Sequence, residues 1–303
     1  MQPAKKIVIS ASRRTDIPAF YLKWFAQQIK KGFFKTTNPY NGHVSIIQAA
    51  PDKVHTIVFW SKNFRPFIKS NFGKNLQKQG YNLFFNFTIN SCNSLLEPHV
   101  PSLNDRLDQL SSLCAHFNPE SINWRFDPIC FYKTGEGKTE NNMHDFVRIA
   151  KFASECGIKR CITSFMDYYG KIKKRAASIQ GFSFVSPSDD IKTSILLNME
   201  RKLKTLDIRL FTCCEKELLD KLSSNILSCN SSISASSCIP NDLLVKLYGG
   251  DLSMRKDTGQ RIKQGCGCKI SVDVGSYSMH PCYHNCLFCY ANPSSKKNPE
   301  VLE

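Results

Sequence analysis

Three cysteines stand at i, i+4 and i+7 in the stretch CYHNCLFCYANP, residues 282–293: Cys282, Cys286 and Cys289. Thiolates at this spacing can wrap one metal centre, and cysteine thiolates are the usual protein ligands of iron–sulfur clusters. Three ligands leave one iron of a 4Fe–4S cube without a protein thiolate, open to a substrate or cofactor. The competing chemistry is a closed tetrahedral zinc site, completed by His280, His284 or a thiol of the GCGC stretch at 265–268. Zinc knuckles usually present two CxxC-like pairs, and CxxxCxxC is not that pattern. Iron–sulfur is therefore the preferred reading.

The loop resembles the CxxxCxxC signature of radical S-adenosylmethionine enzymes, and Phe288 before the third cysteine fits it. That resemblance implies a 4Fe–4S cluster held by Cys282, Cys286 and Cys289, S-adenosylmethionine at the open iron, and room for an electron-donor protein. In those enzymes the motif follows the first barrel strand. Here it follows the last expected strand, KISVDVGSY (269–277), so a circular permutation would return it to the same rim. No further adenosylmethionine-binding element stands out. YGGD at 248–251 reads as a helix stop.

The chain has 14 cysteines, and free thiols in such number suit a reducing compartment and metal chemistry. Cys92, Cys114 and Cys156 read as small buried hydrophobes. The last third also holds Cys213, Cys214, Cys229, Cys238, Cys266 and Cys268. Of these, Cys213, Cys238, Cys266 and Cys268 form a candidate second set for a cluster or zinc. Sequence alone brings only Cys266 and Cys268 together.

The elements that must position these groups alternate between apolar β-rich runs and helical patterns. Strands are expected at 5–11, 55–63, 81–90, 121–131, 160–167, 208–215 and 269–277. Helices are expected at 18–32, 105–117, 143–157, 189–207 and 241–250. This order implies βαβ units and a TIM-like (βα) barrel of six to seven parallel strands, with a doubly wound sheet as the alternative. The barrel is assigned to residues 1–253. A cysteine-rich cluster-binding segment, 254–303, closes its mouth within one structural unit. The Ser-rich stretch 223–238 reads as a loop, and the tail SSKKNPEVLE as frayed.

In parallel α/β folds the carboxyl ends of the strands build the active site. Polar residues collect at those ends: Arg13, Arg14 and Asp16 after the first strand, Lys62 after the second, Arg125 and Asp127 at the fourth, Asp167 after the fifth, Glu215 after the sixth. The four cations would suit a carboxylate or phosphate, hence a small-molecule or nucleotide-like anionic substrate. Asp127, Asp167 and Glu215 would balance charge or move protons. Asp16 is also a plausible helix N-cap.

A net charge of +16, from 41 basic and 25 acidic residues, raises nucleic acid as a partner. The lysines are spread along the chain, with KIKKR (171–175) the densest run, so a solvated surface is preferred. The alternative function is a basic nucleic-acid-associated protein with a structural cluster or zinc. A non-redox hydrolase with structural zinc is a third. Neither a secretory leader nor an apolar run of membrane-spanning length is evident, which makes the cytoplasm the expected location and a membrane partner unexpected.

SASRRTDIPAFY, VFWSKN, WRFDPI, SFMDYYGK, CCE, KDTGQR, CGC and CYHNCLFCYAN together resemble the domain of unknown function 1848 family, across residues 8–292. The resemblance implies a barrel-like α/β fold and an iron–sulfur-type C-terminal motif. It implies no substrate.

Overall fold

The computed structural model describes residues 5–37, 42–135, 137–224 and 231–292. Cys229 and the tail SSKKNPEVLE lie outside the described residues.

The first strand, β1 (Ile7–Ala11), leads into α1 (Ile17–Phe20) and α2 (Leu22–Lys31). The single helix expected at 18–32 therefore divides at Tyr21. α2 ends where the sequence predicts, at Gly32 in the left-handed conformation with φ 78°. A hairpin of β2 (Phe33–Thr37) and β3 (Val44–Gln48) follows, then β4 (Val54–Ser61), α3 (Arg65–Lys69) and α4 (Phe72–Lys78). Next come β5 (Asn82–Thr88), α5 (Leu103–Cys114), β6 (Ile122–Ile129), β7 (Phe131–Thr134), β8 (Glu140–Asn141) and α6 (Phe146–Glu155). The remaining order is β9 (Arg160–Phe165), α7 (Gly170–Ala177), β10 (Phe182–Val185), α8 (Asp189–Lys204), β11 (Arg209–Thr212), α9 (Lys216–Ser224), β12 (Ser234–Ala235), α10 (Asn241–Tyr248) and β13 (Val272–Asp273).

Eight of these strands form one sheet in the order β12-β11-β9-β6-β5-β4-β1-β13, every pairing parallel. The order follows the chain except for β13, which returns to lie beside β1. The expected parallel α/β sheet is found with eight strands rather than six or seven, and no closed barrel forms among the described residues, where the end strands β12 and β13 do not pair. Both are two residues long, too short to carry a closing ladder. The Ser-rich stretch is not only a loop, since it supplies β12.

Burial on both faces explains the near-continuous apolar strands. On one face Ile9, Ile57, Phe59, Phe85, Trp124 and Phe126 pack with Phe25, Leu110, Ile149 and Leu196 of the helices. On the other, Val8, Val58, Phe84, Ile162 and Phe211 pack with Ile239, Leu244 and Leu252 of the chain that follows β12. No helix among the described residues is long and apolar enough to cross a membrane.

Candidate functional site

The CxxxCxxC loop follows β13, and β13 pairs with β1, so the loop arrives beside the polar turn that ends β1. Asp273 makes that join. Its carboxylate accepts hydrogen bonds from the Ser10 and Ser12 hydroxyls, both at 2.6 Å, and from the Arg13 amide at 2.7 Å. The loop is then clamped from other elements. The Leu287 amide donates to the Leu96 carbonyl at 2.8 Å, and the Tyr21 hydroxyl to the Pro281 carbonyl at 2.6 Å. Arg175 donates to the carbonyls of Leu287 (3.0 Å) and Cys289. Arg175 belongs to the KIKKR run, so one member of that apparent surface stretch is structural.

Cys286, Leu287 and Phe288 are buried against Leu96, Cys130, Tyr132 and Phe182. Burial pushes the thiols of Cys282, Cys286 and Cys289 up, while the Lys62 ammonium favours the thiolate form of each. The Ala291 amide donates to the Cys289 sulfur at 3.3 Å. Among the described residues, no group of three or more His, Cys, Asp or Glu side chains closes around a single metal ion. The two histidines weighed as zinc ligands are otherwise engaged. His284 places Nε2 2.7 Å from Asp16 and Nδ1 3.3 Å from the His99 carbonyl. His280 accepts from the Ser276 amide at Nδ1 and packs its ring on Trp24, with centroids 4.1 Å apart.

Asp16 caps α1 through the Ala19 amide (3.0 Å) and also accepts from the Ser61 hydroxyl (2.7 Å) and the Lys62 amide (2.8 Å). With His284 added, both oxygens are fully engaged. Asp16 thus ties the ends of β1 and β4 to the thiol loop. Lys62 pairs with buried Glu97 and lies 5.3 Å from the Phe288 ring centre. Burial opposes its charge, yet the Glu97 carboxylate overrides that and holds its pKa above the ordinary value. Arg106, fully buried, stands 4.0 Å from the other Glu97 oxygen.

Midway along β6, Arg125 donates to Asp127 at 2.5 Å and to the Cys238 sulfur at 2.7 Å. Asp127 also accepts from the Ser164 hydroxyl. Glu215 accepts the Phe165 amide at 2.7 Å. Its pKa is raised to about 7, mainly by burial, with Asp167 and Asp127 adding repulsion. Asp167 is exposed and pairs with Arg261. Arg14 donates to the Gly275 carbonyl at 3.0 Å and so braces the chain between β13 and the thiol loop.

The second cysteine set does assemble, with one addition. Sulfur contacts run from Cys214 to Cys213, to Cys238, to Cys268, to Cys266 and back to Cys214. The Cys213–Cys214 separation is 3.8 Å. Arg13 lies beside Cys268 and Cys238, and Arg261 beside Cys214 and Cys213. Lys62 joins the two regions electrostatically, acting on Asp127 as well as on the loop thiols.

The family profile for the domain of unknown function DUF1848 matches residues 8–291. The chain belongs to that family. The matched span runs from within β1 to the residue after Tyr290, so it takes in the strand-end residues, the thiol ring and the CxxxCxxC loop together. No curated protein matches the chain. Membership in DUF1848 carries no activity.

Glu97, Arg106, Arg175 and Arg261 are site residues that sequence reasoning missed. Glu97 and Arg106 lie in the β5–α5 connection and the first turns of α5, where a charged residue looks like ordinary helix surface. Only their burial distinguishes them. Cys214 was visible as the neighbour of Cys213, but its place in the ring depends on contacts from the C-terminal segment.

Proposed function

We propose that the protein is an iron–sulfur enzyme similar to radical S-adenosylmethionine enzymes, acting on a small anionic or nucleotide-like substrate. One observation carries this reading: three loop thiols sit beside Lys62 and Asp16 at the carboxyl ends of parallel strands, with His284 engaged and Cys266 and Cys268 committed elsewhere. A closed zinc site would have to recruit its fourth ligand from Cys130, which packs against Cys286, or from His280, whose Nδ1 already accepts the Ser276 amide. Three buried thiols, a hydrogen bond to the Cys289 sulfur and a neighbouring ammonium all fit an anionic cluster. A 4Fe–4S cluster held by three thiolates supplies one-electron chemistry at an iron open to S-adenosylmethionine.

The residues around it have distinct parts. Asp16 positions, since its oxygens are already taken. The Lys62–Glu97–Arg106 group sets the local charge and favours an anion at the loop. Arg13 follows the end of β1, where a guanidinium suits a carboxylate or phosphate, while Arg125 is already held by Asp127 and Cys238. Glu215, half-protonated near neutral pH, suits proton transfer. Strand order following the chain, and an inner face filled by the chain that follows β12, support reading the sheet as an incompletely closed barrel.

The test is anaerobic reconstitution with iron and sulfide, followed by reductant and S-adenosylmethionine. Consumption of the adenosylmethionine, lost in Cys286→Ala, is expected. A fully reconstituted protein that never consumes it overturns the reading.

A further inference from the structure

We propose that Cys213, Cys214, Cys238, Cys266 and Cys268 form a second thiolate site for a soft metal, separate from the CxxxCxxC loop. Three stretches of chain converge to make it: the residues just after β11, Cys238 three residues past β12, and the CGC segment. Isolated buried cysteines such as Cys161 need no explanation beyond packing. Five sulfurs brought side by side from distant positions do, and a metal would draw them from this open arrangement into one ligand set.

The surroundings are those of an anionic sulfur centre. The Arg125 guanidinium points Nη1 at the Cys238 sulfur from 2.7 Å. A neutral thiol is a weak acceptor, whereas a metal-bound thiolate is a charged one. Arg13 lies beside Cys268 and Cys238 and Arg261 beside Cys214 and Cys213, and the buried Arg13 Nε has no protein partner. An apolar wall encloses the group, with Val8, Val58, Phe84, Ile162 and Phe211 from the sheet and Leu244 and Leu252 from the chain that follows β12.

Gly267 explains the CGC spacing. A Cβ there would lie 2.6 Å from the Ser236 carbonyl oxygen, so only glycine lets Cys266 and Cys268 approach the chain leading to Cys238. Thiolates in this number take either one zinc ion, through four of the sulfurs, or an iron–sulfur cluster. Thiolate ligation is common to both, and metal content tells them apart.

The experiment starts from the Cys282→Ala/Cys286→Ala/Cys289→Ala chain, so the fate of the loop's own cluster cannot affect it. After anaerobic purification and exposure to zinc, then separately to iron and sulfide, metal and acid-labile sulfide are counted per chain. Retained zinc, or retained iron with sulfide, is expected, lost when Cys238→Ser and Cys268→Ser are added. Zinc identifies a single ion, and iron with sulfide a cluster. A soluble triple variant that binds neither, with all five thiols reacting freely or pairing as disulfides, overturns the proposal. So does metal that survives the added serines. If the triple variant is insoluble, Cys238→Ser/Cys268→Ser in the otherwise natural chain decides. It should lose its zinc, or about half its iron, and an unchanged metal content overturns the site.

Discussion

Glu215 is the residue whose environment most directly predicts a pH response. Its carboxyl protonates at about 7 in the folded protein, against an ordinary value of 4.5. The folded state therefore binds more protons than the unfolded state between those values, and stability falls as pH rises through that window. The penalty is complete above pH 7 and is on the order of 3 kcal/mol at most. Glu215→Gln should remove it: denaturant unfolding at pH 8 should show the variant more stable than the natural protein, with the difference shrinking toward pH 5. Equal stability at both values would contradict the assigned burial. Glu97 predicts the opposite sign. Its carboxylate is held low, with burial opposing and Lys62 and Arg106 prevailing. Glu97→Gln would leave two buried cations without an anion and cost about 3–5 kcal/mol, measurable by the same unfolding experiment. A loss below about 1 kcal/mol would show that Lys62 and Arg106 find other partners.

Among elements, the contact of β13 with β1 decides whether the thiol loop reaches the strand ends. Gly275 sits at that contact, where an added Cβ would fall 2.1 Å from the Ser12 hydroxyl oxygen and 2.6 Å from its Cβ. Gly275→Ala should cost about 1–3 kcal/mol by overpacking. Because the Ser12–Asp273 bond would be displaced with it, reconstituted iron content should fall as well. Lost stability with full iron binding would separate the loop from this contact. The first six expected strands were legible because strands buried on both faces read as apolar runs, as in HTIVFWS and NLFFNFT, whereas the seventh shrinks to the half-buried pair Val272–Asp273. β12 was not, because two residues in a Ser-rich stretch carry no periodic signal. The split at Tyr21 was also hidden, since the apolar spacing of residues 18–32 suits one helix as well as two. Asp16, Lys62, Arg125 and Asp127 were legible as polar residues at strand ends. Their partners were not, because Glu97, Arg106 and Arg261 are distinguished by tertiary contacts alone.

For the whole molecule, the C-terminal segment does two jobs at once. From Ile239 onward it covers one face of the sheet, through Ile239, Leu244 and Leu252, and it carries the CxxxCxxC loop back to β1. Metal bound there should therefore stabilise the entire fold, because ligand binding to the folded state adds to its stability. Chelation should lower the thermal midpoint of the anaerobic holoprotein by several degrees, and an unchanged midpoint would mean that the loop is uncoupled from the core. The central claim is that Cys282, Cys286 and Cys289 hold a 4Fe–4S cluster. The most direct measurement is iron and acid-labile sulfide per chain in anaerobically reconstituted protein, with Cys282→Ala, Cys286→Ala and Cys289→Ala measured beside it. The account predicts that each substitution removes about four irons and about four sulfides. Iron and sulfide contents unaltered by all three substitutions, or zinc in place of iron at that loop, would contradict it.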